Sequence, residues 1–137
     1  MPPRTQNMPP RRKEKLKKVR GISQLKKEAI RTFNAWIRTR DAVRLGGKCY
    51  TCGKTGEQAG HYIHSHNSVR FNEILVNLQC VACNQFASGN LGVYGERLIK
   101  EHGLKKIQEL RRLANGIKRF SRKELEEIIK KYQINGR

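Results

Sequence analysis

Apolar residues Leu25, Ala29, Ile30, Phe33, Trp36 and Ile37 recur at steps of three and four along the early part of the chain, the spacing that gathers side chains on one face of an α-helix. The pattern predicts a helix of about four turns starting at Ser23. Its outer face carries Lys26, Lys27, Arg31 and Arg38, and Gly46-Gly47 stops it. From 48 to about 76 the periodicity shortens, and "AGHYIH" and "RFNEILVN" have the β-branched and aromatic content of a hairpin. "CVACNQF" reads as the opening of a helix running from 80 to 90, and three helical patches follow it. Leu98 and Ile99 belong to a piece closed by Gly103, with His102 near its end, and Leu104, Ile107, Leu110 and Leu113 to one closed by Asn115-Gly116. In the last patch Ser121 and Glu124 form a capping box, Phe120 and Leu125 a hydrophobic staple, and Leu125, Ile128, Ile129 and Tyr132 the buried stripe.

This order of elements fits one modest domain over 22–137, made of a helix (22–45), a metal-bound core (46–90) and helices (91–134). Residues 1–21 form a basic arm. Their first twenty positions hold all four prolines of the chain and almost nothing to bury, which predicts flexibility. Charge then narrows the partner. Thirty Lys and Arg against eleven Asp and Glu give a net +19 over 137 residues, a self-repulsion that a polyanion normally relieves. Nucleic acid is the expected partner. A membrane is not, since there is no long apolar run, no signal peptide and no strongly apolar helix face. Arg11, Arg12, Lys13, Lys17 and Lys18 of the arm are expected on phosphates, joined by Lys105, Lys106, Arg111, Arg112, Lys123, Lys130 and Lys131 on the helices. Without a recognition pattern of Asn, Gln and Arg on any helix, backbone and shape are the features read.

Four cysteines form two C-x-x-C pairs, Cys49 with Cys52 and Cys80 with Cys83. Each pair grips an ion from one tight turn, and two pairs complete a tetrahedron at about 2.3 Å per sulfur. With every coordination position filled by thiolate the expected zinc is structural. Disulfides or a redox pair are the rival reading, disfavoured by the paired spacing and by a reducing cytoplasmic location. Between the pairs lies "GHYIHSHN", three of the four histidines within six positions. On a regular strand His61 points to one face and His64 and His66 to the other, so the three cannot hold one ion unless a bulge or turn re-aims one of them.

The segments "FNAWIRTRDA", "CYTCG", "AGHYIHSHNSVRFNE" and "QCVACNQFASGN" resemble the phage Rap (NinG) recombination nucleases from about residue 25 to 115. Two C-x-x-C knuckles, a histidine on the intervening hairpin and an Asn after the last Cys are also similar to the zinc-stapled ββα-metal (HNH-like) nucleases. The resemblance implies an α+β fold with a small zinc-stapled ββα-metal core, and a metal-dependent endonuclease acting on branched DNA such as Holliday junctions and D-loops in the bacterial cytoplasm. It implies His61 as the base that activates water, Asn77 as its support, Arg70 near the scissile phosphate and Asn84 as a ligand of catalytic Mg²⁺ or Mn²⁺. The Asp that usually precedes the base is Gly60 here, which leaves the second ligand to Glu73, His64 or His66. His66 otherwise faces DNA. Cutting a four-way junction symmetrically needs two sites, hence a possible homodimer. The competing readings are a non-catalytic zinc-stapled DNA-binding module and an RNA-binding zinc knuckle, the latter lacking interleaved aromatics on a sheet surface.

Overall fold

The computed structural model describes residues 20–64 and 68–134. Nearly all of the arm, with Arg11, Arg12, Lys13, Lys17 and Lys18, and also His66, lies outside the described residues. The order is α1 (Ile22–Arg44), β1 (Gln58–His61), β2 (Val76–Gln79), a π-helical turn (Ala82–Phe86), α2 (Leu91–His102), α3 (Leu104–Leu113) and α4 (Arg122–Tyr132).

Helix α1 continues past its apolar stripe, since the buried face does not end with Ile37 but runs one turn further to Asp41. Buried Leu25 and Ala29 meet Leu125 and Ile129 of α4, while Phe33 and Ile37 meet Val76 and Tyr132. Rings of Phe33 and Tyr132 stack edge to face at 4.8 Å between centroids, a geometry that adds to simple burial. The capping box at the start of α4 is present: Ser121 Oγ accepts from the Glu124 amide at 3.1 Å, and Glu124 accepts from the Ser121 amide at 2.8 Å.

Strands β1 and β2 pair antiparallel, with Gly60 opposite Asn77 and His61 opposite Val76. The second strand starts six residues later than "RFNEILVN" suggested. Asn72 Oδ1 accepts the amides of Ile74 and Leu75 in a turn, so residues 70–75 bend before the chain extends. The hairpin lies between two helical layers. Ala59 and Val76 pack toward α1 and α4; Tyr50, Leu75, Tyr94 and Leu98 form a second core with Ile107 and Leu110 of α3. The helix expected over 80–90 is a single π-helical turn, because Ser88 and Asn90 adopt positive φ and break it.

An ion network fastens α1 to β2. The fully buried Asp41 carboxylate accepts from Arg40 at 2.8 and 3.1 Å, from Arg44 at 2.7 Å and from the Leu78 amide at 2.9 Å. Burial alone would raise its pKa, but the two guanidiniums and the amide hold it below the usual carboxylate value. Asp41→Asn keeps the shape and removes the charge. It is expected to cost about 2 kcal/mol in urea unfolding, below the roughly 3–5 kcal/mol of a fully buried pair, because the Arg40 and Arg44 side chains are 20 % and 37 % exposed and partly solvated.

Candidate functional site

The four sulfurs lie within 4.8 Å of one another, and Cys52 and Cys80 are 3.6 Å apart at Sγ. A tetrahedron with bonds of about 2.3 Å has edges of about 3.8 Å, whereas a disulfide needs about 2.05 Å. All four are free thiols. The donor set therefore fits zinc and not a bridge. Main-chain amides aim at the sulfurs, Lys54 N–H at Cys52 (3.5 Å) and Cys83 N–H at Cys80 (3.4 Å), and Gly53 takes φ +81° to close its knuckle. Burial would raise the Cys49 thiol, yet hydrogen bonds from Thr51 and from nearby amides bring it down to about 6, so it is readily a thiolate. The Lys54 amide would lower Cys52, but burial and the neighbouring sulfurs push it up to about 12. Without an ion, the cluster shares protons that a divalent ion displaces. Among the described residues no other group of three or more His, Cys, Asp or Glu converges in this way.

His61 ends β1, half-buried, on the face that Ala59 shares. The strand stops there, and the bend at Tyr62-Ile63 re-aims His64. His64 comes close enough to affect His61 electrostatically, and Arg70 does the same. Burial first, then these two neighbours, push the His61 pKa down to about 4, against a hydrogen bond from its ring to the Arg70 main chain. At neutral pH the ring is uncharged. The Arg70 carbonyl takes one ring N–H and so leaves the other nitrogen as an acceptor. Burial also lowers the Arg70 guanidinium below its ordinary value. The structure thus brings His61, His64 and Arg70 together.

Asn77 lies elsewhere. Its register partner is Gly60, so its side chain shares Gly60's face and not that of His61. Its oxygen accepts from Arg40 at 3.2 Å and from Arg44 at 2.5 Å, and its nitrogen donates to the Ile74 carbonyl at 3.0 Å and to Tyr94 at 3.1 Å. Tyr94 in turn donates to the Gly60 carbonyl at 2.7 Å. Asn77 therefore fixes the strand beside His61, not the imidazole itself, whose partner is the Arg70 main chain. The Glu73 carboxylate accepts from Tyr132 at 2.7 Å and faces Lys131 at 3.9 Å, at the α4 side.

Asn84 Nδ2 donates to Gln58 Oε1 at 2.8 Å, and Gln85 Nε2 donates to the same oxygen at 3.2 Å. Gln58 lies three residues before His61 on β1, about 10 Å along an extended strand and on its opposite face, so this contact does not bring Asn84 to the imidazole. The bond occupies the amide nitrogen of Asn84 and sets its Oδ1, the atom a hard cation takes, on the other side of the amide.

The absence of an acid at position 60 has a steric cause. A Cβ there would stand 1.8 Å from Gln79 Oε1 and 2.6 Å from Gln79 Cδ. Gln79 is fully buried and held, its nitrogen donating to Thr51 Oγ1 and the Gly89 carbonyl at 3.0 Å each. No side chain fits at 60 while Gln79 stays. Sequence reasoning missed Gln58, Gln79 and the Arg40–Asp41–Arg44 network. Only the last left a trace, an acid flanked by arginines at i−1 and i+3, which reads equally well as solvated surface.

Comparison with known proteins shows a match over residues 4–137 to the family described as bacteriophage lambda NinG protein. The "Protein ninG" of Escherichia phage lambda is 38% identical over 86 residues, 61% of this chain and 42% of that protein. Those of Salmonella phage P22 (37% over 86 residues, 61% of this chain and 42% of that protein) and Escherichia phage 933W (36% over 109 residues, 78% and 54%) are similar. The chain spans about half the length of these curated relatives. No solved structure matches. No helix among the described residues is long and apolar enough to cross a membrane.

Proposed function

The chain belongs to the bacteriophage NinG family, and from that premise we propose that it is a metal-dependent endonuclease hydrolysing phosphodiester bonds in branched DNA recombination intermediates of the Holliday-junction or D-loop type. It would act as a homodimer in the host cytoplasm. The observation that carries this reading is the His61 ring, uncharged at neutral pH, oriented by the Arg70 carbonyl and flanked by the Arg70 guanidinium and His64.

In this scheme the acceptor nitrogen of His61 takes a proton from water. The water oxygen forms a bond to phosphorus as the P–O bond to the leaving sugar oxygen breaks. Arg70 neutralises charge on the non-bridging oxygens. Asn84 Oδ1, oriented by Gln58, is the protein oxygen suited to Mg²⁺ or Mn²⁺, and His64 is the second ligand the local bend favours over Glu73, whose carboxylate is engaged by Tyr132. When bound, such an ion supplies Lewis-acid stabilisation of the phosphoryl and leaving oxygens. The zinc only holds the two knuckles together. A net charge of +19 supports a DNA partner, through counterion release that weakens steeply with salt.

A non-catalytic DNA-binding module is the second reading, favoured by Gln79 filling the place of the usual acid. One assay separates them. Zinc-loaded protein is incubated with linear duplex, single-stranded, flap and four-way-junction DNA, with and without Mg²⁺. Paired nicks at the junction branch, only with Mg²⁺ and from a complex of two-protomer mass, are expected; tight binding without any cleavage would leave the module.

A further inference from the structure

The π-helical turn that carries Asn84 ends in Phe86, and this ring is 83 % exposed. Isolated apolar side chains on a surface are ordinary, but this aromatic ring stands bare on a tightly constrained backbone. The Asn84 amide donates to the Cys80 carbonyl at 2.9 Å, the Ala87 amide to Ala82 at 2.8 Å and the Gly89 amide to Cys83 at 2.8 Å. Asn90 Nδ2 reaches Cys83 Sγ at 3.6 Å, and Gln79 ties the Gly89 carbonyl from below at 3.0 Å. Beyond the ring, Ser88, Gly89 and Asn90 take φ of 50°, 96° and 48° in succession, a backbone that two non-glycine residues adopt only at a cost. The turn is thus built onto the zinc knuckle, and it presents Phe86 to solvent instead of tucking it under the fold.

The position of the ring is informative. A Cβ at Gly89 would lie 3.6 Å from His64 Nε2, so the segment that follows Phe86 borders the His61, His64 and Arg70 group. We infer that Phe86 is a base-stacking residue, which receives an unstacked base at the branch of a DNA junction and so sets the selectivity for branched over linear DNA. This rests on the endonuclease reading. Linear duplex offers no free base face; a branch point does, and an aromatic ring binds any base face without reading sequence. The cationic chain supplies attraction to phosphate everywhere along DNA, so a feature confined to one rigid turn is what can distinguish one DNA shape from another. A protein partner or a second copy is the rival occupant, and the charge of the chain favours DNA over either.

The test compares wild type, Phe86→Ala and Phe86→Trp, each loaded with zinc. Affinity is measured by fluorescence anisotropy for a four-way junction and a linear duplex of equal length, without added Mg²⁺, and 2-aminopurine at the branch reports unstacking. Phe86→Ala is expected to bind the junction on the order of 10-fold more weakly, to lose the wild-type 2-aminopurine signal and to bind linear duplex as before. Phe86→Trp is expected to keep the junction preference. An unchanged junction-to-duplex ratio in Phe86→Ala, with wild type still binding junctions, overturns the stacking role and leaves the nuclease reading intact. Absence of DNA binding by wild type overturns both. A change of sedimentation mass in Phe86→Ala without DNA assigns the ring to a protein interface and likewise overturns the inference.

Discussion

Cys80→Ser is expected to release zinc and unfold the centre of the protein. Cys80 is buried at the junction of β2 and the π-helical turn, and its sulfur lies 3.6 Å from that of Cys52 across the chain. In small zinc modules the ion contributes about 10–16 kcal/mol of binding energy that is also folding energy. A whole domain holds only about 5–15 kcal/mol of net stability. Losing one of four thiolates therefore removes an amount comparable to the entire margin. The outer part of the 49–54 knuckle, Cys52, Gly53 and Lys54, is exposed, while Tyr50 is anchored in the second core. Zinc content by atomic absorption and thermal unfolding by circular dichroism check this, with Cys49→Ser giving the same result. A Cys80→Ser protein that stays folded without zinc would show that the two apolar cores suffice, and the ion would then be dispensable.

His61→Ala is the second large effect, expected to slow junction cleavage by about 10²–10⁴-fold, the usual worth of a positioned general base, while zinc content and junction affinity stay close to wild type. Unchanged nicking would remove His61 from the chemistry. The pH dependence sharpens the test. Its pKa of about 4 lies below the ordinary 6.5 because burial, Arg70 and His64 disfavour the charged ring. Since kcat/KM reports the free enzyme's base, a base at about 6.5 would lose roughly tenfold between pH 7.5 and 5.5, whereas His61 as placed stays neutral over that range. The acid limb is expected near pH 4.

Stability carries the same signature with a definite sign. Between about 4 and 6.5 the unfolded histidine binds a proton that the folded one refuses, so stability rises with pH across that window and is lost as pH falls. The full span is on the order of 3 kcal/mol. Because carboxylates and zinc thiolates also titrate in acid, the readout is the difference between wild type and His61→Gln, measured by urea unfolding at pH 5 and pH 7. The glutamine variant should lose less stability on acidification. Equal losses would mean that the ring is solvated.

Much of the architecture follows from local chemistry already present along the chain. The four converging cysteines were legible because two tight turns offering ligands to one tetrahedral ion leave a fixed spacing. The helix pairs were legible because burial at 3.6 residues per turn leaves apolar stripes, as at Leu25, Ala29 and Phe33, and because Ser121 and Glu124 satisfy each other within four residues. Helix α1 outran its stripe since Asp41 is buried by two arginines and an amide, and such a site has no apolar mark. The faces of the hairpin, and the side of it on which each polar group falls, were decided by tertiary structure alone. Register put Asn77 opposite Gly60, the bend after His61 turned His64 back, and the buried Gln79 amide closed position 60 to any side chain. Sequence lists the groups that can do chemistry; strand register and close packing choose which of them meet.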